Sequence, residues 1–288
     1  MNAQNDPARF DPGDVTTVLC DLDGVVWLAH EPIEGSVDAV ARLRASGRRV
    51  LFVTNNSMSP VADQEAALER IGIPAAGDVV TSAMAGASLV EAGERVLVAG
   101  GRGVVEAVER RGATPVLNDG SSGLRAEAAA GAFAAVVVGL HRDFDYWRLA
   151  VASTAVMAGA RLIGTNGDST FPTPDGQLPG GGSLVAAVAA VAGVDPVIGG
   201  KPNRPMALLI IDIAGDPDRL VMVGDRLDTD GAFAATIGCP FALVRSGVTA
   251  PGQPLDLDRF GLSEPATDVT NLASFADEFA DAASPAGQ

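Results

Sequence analysis

The segment Asp21-Leu22-Asp23-Gly24 sets two carboxylates two residues apart, at the end of the apolar run 15–20. In an extended chain such residues share a side. The pair would repel, and one would keep its proton unless a cation sat between them. A second apolar run, 220–224, leads directly into Asp225, Asp228 and Asp230. Carboxylates gathered at two strand tips destabilise each other, so a purely structural purpose explains them poorly. Oxygen-only ligands drawn from a few carboxylates suit Mg²⁺, which keeps several waters and accepts phosphate oxygens. Two polar segments add complementary chemistry. Thr54, Asn55, Asn56 and Ser57 follow the run RVLFV and offer hydroxyl, amide and turn N–H donors to a phosphoryl oxygen. The stretch GGKPNRP carries Lys201, the only lysine in a chain whose Lys+Arg total is 20. An ammonium is a compact point charge that neutralises both a carboxylate and a phosphoryl oxygen, where a forked guanidinium fits poorly.

Four separated segments act together only if the fold brings them together. Apolar runs of strand character alternate with amphipathic stretches almost throughout, the pattern of right-handed βαβ units and a parallel sheet. The first set reads as strand 15–24, helix 36–47, strand 49–56 and helix 60–73. The second reads as strand 95–101, a helix to Arg110, strand 113–117, strand 132–140, a helix over 146–159 and strand 160–166. The Gly/Pro-rich passage 172–183 then leads into an alanine-rich helix, with Ser183 as its expected N-cap. The last set is a short strand within 195–200, a helix after Pro205, strand 219–225, helix 229–238, strand 241–247 and a closing helix over 271–283. Ligands of an open parallel sheet bind beyond the carboxyl ends of its strands, so the four segments are expected to converge. Gly100, Gly101 and Gly103 do not match the dinucleotide-binding spacing, and PGGGS at 179–183 lacks the Lys-Ser/Thr of a Walker loop. Both read as turns.

A length of 288 residues favours two domains over one. The formal charge of -16 argues against nucleic acid or anionic membrane as a partner, since no basic patch exists to displace counterions. No apolar run reaches the roughly 18 residues that a membrane span needs. The first 14 residues, polar and broken by proline, read as a loose arm, and the tail SPAGQ reads the same way. Two cysteines, Cys20 and Cys239, fit reduced thiols and a cytoplasmic location. Cys20 is expected to be buried on the opposite side of its strand from Asp21, and His30 to lie on the surface.

In order, the motifs hhhhDxDG, hhhT-N, Lys and GDxxxxD resemble the haloacid dehalogenase superfamily over residues 15–230. The words TNNS, VVTSA, TNGD, PGGGS, GKP and GDRLDTD are similar to its NagD-like, p-nitrophenyl-phosphatase-like branch, which includes phosphoglycolate, glycerol-phosphate and pyridoxal-phosphate phosphatases. The resemblance implies an α/β fold: a Rossmann-like core with a central parallel sheet, over 1–94 and 196–288, and an inserted α/β cap of the C2 type over 95–195. It also implies roles. Asp21 would be the nucleophile that forms an aspartyl phosphate, and Asp23 the general acid and then base. Mg²⁺ would be held by Asp21, the Asp23 carbonyl and Asp225, with Asp230 orienting the ion's waters. Thr54, Asn55 and Asn56 would grip the phosphoryl group, and Lys201 would bridge it to Asp21. Asp228 falls at a position the motif leaves free.

The cap would choose the leaving group, and Leu140, His141, Asn166, Asp168 and Phe171 are its expected substrate contacts. His141 stands where relatives often carry an acid. The expected partner is a small phosphorylated metabolite such as phosphoglycolate, glycerol phosphate, a sugar phosphate or a nucleoside monophosphate, and a homodimer through the cap is implied. Rival functions fit these residues less well. Haloacid dehalogenation needs neither a metal nor an acid at the second Asp. A regulatory or binding protein with weak turnover needs no intact motif set, yet every motif residue is present.

Overall fold

The apolar runs become strands of two separate parallel sheets. The computed structural model describes residues 11–173 and 176–280, so most of the expected arm and all of the tail SPAGQ lie outside the described residues. The described residues fall into two compact units. Of the described residues, one draws on those up to Thr54, on Gln64–Val80 and on those from Ala207 onward, the other on those within Asn55–Asp63 and Thr81–Met206.

The first unit is built on a six-stranded sheet in the order Thr267–Val269, Phe241–Val244, Leu220–Gly224, Thr17–Cys20, Arg49–Thr54 and Val79–Thr81. Thr17–Cys20 runs parallel to both of its neighbours, with Cys20 level with Val223 on one side and Phe52 on the other. Every residue of Thr17–Cys20 and of Leu220–Gly224 is buried. Parallel strands covered on both faces read as unbroken apolar runs instead of alternating ones, which is how these two looked in the sequence. Their shared direction and register set the carboxyl ends of three adjacent strands side by side, and Asp21, Thr54 and Asp225 lie at those ends. Helix Ser36–Ala45 packs on helix Leu272–Asp277, tied by Arg42 to the Asp277 carboxylate at 2.5 Å and to the Ala273 carbonyl at 3.0 Å.

The second unit is built on a five-stranded sheet in the order Val197–Ile198, Arg161–Gly164, Ala135–Val138, Arg95–Ala99 and Thr114–Leu117, parallel throughout. Side chains alternate between its faces, as the pleat demands. Leu97, Ala99, Val136, Val138 and Leu162 pack with helices Ser122–Ala129, Tyr146–Met157 and Gly181–Ala192. Val96, Val98, Ala135, Val137 and Ile163 pack with helices Ser82–Ala87 and Arg102–Arg110.

Several features depart from the sequence reading, among them strands Val79–Thr81 and Thr267–Val269 and helix Ser82–Ala87, which it lacks. Helix Ser122–Ala129 was not anticipated. The Gly/Pro-rich passage contains an antiparallel hairpin of Thr170–Thr173 with Gly176–Pro179, because proline and glycine mask a two-stranded ribbon that needs few residues with β character. Ser183 is not an N-cap: the helix Gly181–Ala192 is capped by Gly180, and the Ser183 hydroxyl donates to the Ser169 carbonyl at 2.6 Å. A Cβ at Gly180 would run into the Asp168 carbonyl, so only glycine fits the cap position. The described part of the closing helix spans Leu272–Asp277. Among the described residues no helix is long and apolar enough to cross a membrane.

Candidate active site

Three carboxylates meet at the tips of the central strands of the first unit. Asp21, Asp225 and Asp230 are buried, and each offers an oxygen within 4.8 Å of the other two. Asp21 is fixed by its backbone N–H, which donates to the Val223 carbonyl at 3.0 Å on the neighbouring strand. Asp225 lies in a cradle of backbone. The Val248 N–H donates to its Oδ2 at 2.5 Å, and a Cβ on Gly24 or Gly247 would sit 2.7 or 2.6 Å from its carboxyl carbon. Gly24 also has φ +88°, a left-handed conformation open to glycine at little cost. Asp230 sits on a single wide helical turn, Leu227–Gly231, where its Oδ2 accepts from the Arg226 N–H at 3.2 Å. Gly224 lets its side chain come this close, since a Cβ there would overlap the Asp230 carboxyl group.

These donors fit a hard divalent cation. All of them are oxygens, few in number, buried, and mutually repulsive without a counter-charge. The Asp230 carboxylate stands in the same cluster as the other two. Asp23 is exposed and accepts from the Trp27 indole N–H at 3.1 Å, while Thr54 is buried at its strand end. Asp228, which carries no role in the motif, takes both arms of the Arg226 guanidinium at 3.0 and 2.7 Å. Burial raises its pKa, but the hydrogen bonds and charge of Arg226 outweigh this and hold the carboxyl below its ordinary value.

A polar network occupies one end of the second unit. The Asn55 side-chain N–H₂ donates to Asp168 Oδ2 at 3.0 Å and to the Lys201 carbonyl at 3.1 Å. The Asn55 carbonyl accepts from the Ser82 hydroxyl at 2.6 Å and from the Asn166 amide at 2.8 Å. Lys201 is buried. Asn56 turns its Oδ1 back to the Met58 N–H at 3.0 Å. The glycines at 101 and 103 admit the segment 57–59, because a Cβ on either would meet the Met58 or Ser59 carbonyl. Asn55, Asn166, Asp168 and Lys201 are thus brought into one hydrogen-bonded group.

The other expected cap contacts are arranged differently. Leu140 and His141 are half-buried in the loop after strand Ala135–Val138. The His141 ring packs edge-on to Phe144 at 6.0 Å, and its Nε2 is buried without a hydrogen-bond partner. Burial, aided by the Arg148 charge, lowers its pKa below the ordinary histidine value against the opposing pull of Asp143 and Asp145. Phe171 lies half-buried on the hairpin, level with Leu178. His30 is exposed with φ 69° and its ring 4.8 Å from that of Trp27. Cys20 is buried, and burial pushes the Cys239 thiol up to about 12. Sequence reasoning missed Ser82 and the 246–249 turn. The first looks like an ordinary helix start, and in the second only Gly247 hints at a close approach.

The order of these elements and the strand-tip chemistry define a hydrolase of known type. Residues 18–114 match the family model for haloacid dehalogenase-like hydrolases, and residues 198–273 match a second hydrolase-like model of the same group. The chain belongs to the haloacid dehalogenase-like hydrolase family, in its NagD-like, p-nitrophenyl-phosphatase-like branch. It is 38% identical to the D-glycerol 3-phosphate phosphatase of Mycobacterium tuberculosis over 240 residues, 81% of this chain and 64% of that protein. A solved p-nitrophenyl phosphatase from Archaeoglobus fulgidus superposes with a TM-score of 0.81 at 28% identity, covering 92% of this chain and 99% of the other. A glycerol phosphate phosphatase from Mycobacterium tuberculosis, solved in complex with magnesium, gives 0.79 at 31% identity, covering 94% and 78%.

Proposed function

We propose that this chain is a Mg²⁺-dependent phosphatase of small phosphate monoesters, working through an aspartyl phosphate on Asp21. The observation that carries the reading is the buried cluster of Asp21, Asp225 and Asp230, an oxygen-only donor set at the strand tips of a haloacid dehalogenase-like hydrolase. Phosphate monoesters are among the slowest compounds to hydrolyse, needing accelerations of up to about 10²¹-fold, and a carboxylate attacking a phosphate dianion is repelled. When bound, Mg²⁺ would be held by Asp21, the Asp23 carbonyl and Asp225, with Asp230 orienting its waters, and would supply the positive charge that removes that repulsion.

The chain's own residues do the rest. One Asp21 oxygen attacks phosphorus, and Asp23 protonates the departing alkoxide. Asp23 then takes a proton from the water that cleaves the acyl phosphate, releasing inorganic phosphate and restoring Asp21. The exposed Asp23 suits a group that exchanges protons with solvent. The Thr54 hydroxyl and the backbone N–H groups of Asn55 and Asn56 donate hydrogen bonds to the phosphoryl oxygens, and the Lys201 ammonium neutralises the charge that builds on them.

In this reading residues 95–195 form the inserted C2-type cap, and Leu140, His141 and Phe171 face the leaving group. The substrate class spans phosphoglycolate, glycerol phosphate, sugar phosphates and nucleoside monophosphates. The location is cytoplasmic, in keeping with two buried free thiols. A homodimer forms through the cap. Support comes from exposed Leu117, Tyr146 and Trp147 in the second unit, with Asn118 tied to Arg148 at 2.8 Å. A light-scattering mass near the monomer value of 29.1 kDa at micromolar concentration would rule the dimer out.

With Mg²⁺ the protein is expected to hydrolyse p-nitrophenyl phosphate. Asp21→Asn should lose activity by at least about a thousandfold, because it removes the nucleophile; an active Asp21→Asn protein would sink the proposal. Lys201→Arg keeps the charge but replaces a point with a fork, so kcat should fall by about a hundredfold or more. A variant within threefold of wild type would mean the lone lysine has no special place in the chemistry.

A further inference from the structure

Asn166 and Asp168 have the look of substrate contacts in the sequence, and in the structure both hydrogen-bond to Asn55. Asn166 is buried and both ends of its amide are occupied: Nδ2 donates to the Asn55 carbonyl at 2.8 Å and Oδ1 accepts from the Asp168 N–H at 3.2 Å. Asp168 Oδ2 accepts from Asn55 Nδ2 at 3.0 Å, and that nitrogen also reaches the Lys201 carbonyl at 3.1 Å. A nitrogen held between a carboxylate and a carbonyl, both acceptors, fixes which way the Asn55 amide faces.

The loop bearing Asn166 and Asp168 is clamped from behind. Gly182 N–H donates to the Asp168 carbonyl at 2.9 Å, while Gly180 N–H and the Ser183 hydroxyl donate to the Ser169 carbonyl at 2.8 and 2.6 Å. A Cβ on Gly182 would run into the Gly167 carbonyl, which accounts for the glycines of the PGGGS turn. In front, the Thr165 hydroxyl donates to Ser57 Oγ at 2.9 Å, and Gly200 N–H donates to the Thr165 carbonyl at 2.8 Å. Gly200 leaves no room for a side chain, since its Cβ would meet Asn55 Oδ1 at 2.5 Å. One loop, 165–169, therefore joins the Asn55 segment to Gly200, the residue before Lys201, and Asn55 in turn reaches the Lys201 carbonyl.

We propose that Asn166 and Asp168 are positioning residues that set Asn55 and the Lys201 backbone for holding the transferred phosphoryl group, and that they do not select the leaving group. The inference rests on the phosphatase reading above and deepens it. Every substrate of such an enzyme presents the same phosphoryl group, so a residue that acts only through its grip changes all substrates by one factor. A residue that touches the leaving group changes their ratio.

The test compares wild type, Asp168→Ala and Asp168→Asn on p-nitrophenyl phosphate, glycerol phosphate and a nucleoside monophosphate, with inhibition by inorganic phosphate and the melting temperature measured alongside. Asp168→Ala should lower kcat/KM by a common factor of about ten or more and weaken phosphate inhibition by a similar factor. Asp168→Asn keeps an oxygen acceptor for Asn55 and should recover most of both. A factor that differs between substrates with phosphate inhibition unchanged would overturn the proposal in favour of leaving-group contact. A lowered melting temperature with phosphate inhibition unchanged would overturn it in favour of a folding role. A wild type that hydrolyses none of the three fails at an earlier step and refutes the phosphatase reading itself, and this inference with it.

Discussion

Repulsion among Asp21, Asp225 and Asp230 is the constraint around which the first unit is arranged. Three buried carboxylates with oxygens within 4.8 Å of one another are a liability for folding, because desolvation and like charge both oppose ionisation. The surroundings increase that cost. Gly24, Gly224 and Gly247 bring backbone against the side chains of Asp225 and Asp230, which pins the oxygens instead of letting them separate. A protein keeps such an arrangement where a cation and an anionic substrate are to be received, and the stability given up is recovered on binding. The parallel register that levels Cys20 with Val223 sets the spacing, since it fixes where Asp21 and Asp225 leave the sheet.

The second unit solves a different problem with neutral groups. Asn55, Ser82, Thr165 and Asn166 use amides and hydroxyls to join loops that leave separate strands. Such bonds are individually worth only about 0.5–1.5 kcal/mol net, but an unmade partner in a buried network costs more than a made one contributes. The network therefore specifies geometry more than it adds stability. The lone lysine is tied into it through its backbone carbonyl, so the position of the ammonium depends on Asn55 as well as on its own flanking glycine and proline.

Much of the fold was visible in the sequence because buried parallel strands leave a strong trace. The runs before Asp21, Thr54 and Asp225 are continuous and apolar, and each ends abruptly in a polar residue. The chemistry at those ends was visible for the same reason: acidic residues after an apolar strand have no ordinary structural use. What stayed hidden depends on partners remote in the chain. The pairing of Thr170–Thr173 with Gly176–Pro179 joins short Gly- and Pro-bearing segments whose propensities point away from strand. Asn166 and Asp168 stand out in the sequence, but which way the Asn166 amide points is decided by a carbonyl more than a hundred positions away, at Asn55. The glycines of PGGGS suggested a turn and a serine cap; the cap went to Gly180 because the Asp168 carbonyl occupies the space a Cβ would need.

The claim that a cation resolves the carboxylate repulsion is tested most directly by thermal unfolding of wild type and Asp225→Asn, each with and without Mg²⁺. Mg²⁺ should stabilise wild type, by about 2.7 kcal/mol at a hundred times its dissociation constant. Without divalent cation Asp225→Asn should be at least as stable as wild type, because one member of a repelling trio is gone, and Mg²⁺ should reverse the order. Equal destabilisation by Asp225→Asn in both conditions, with no Mg²⁺-dependent shift in wild type, would contradict the account.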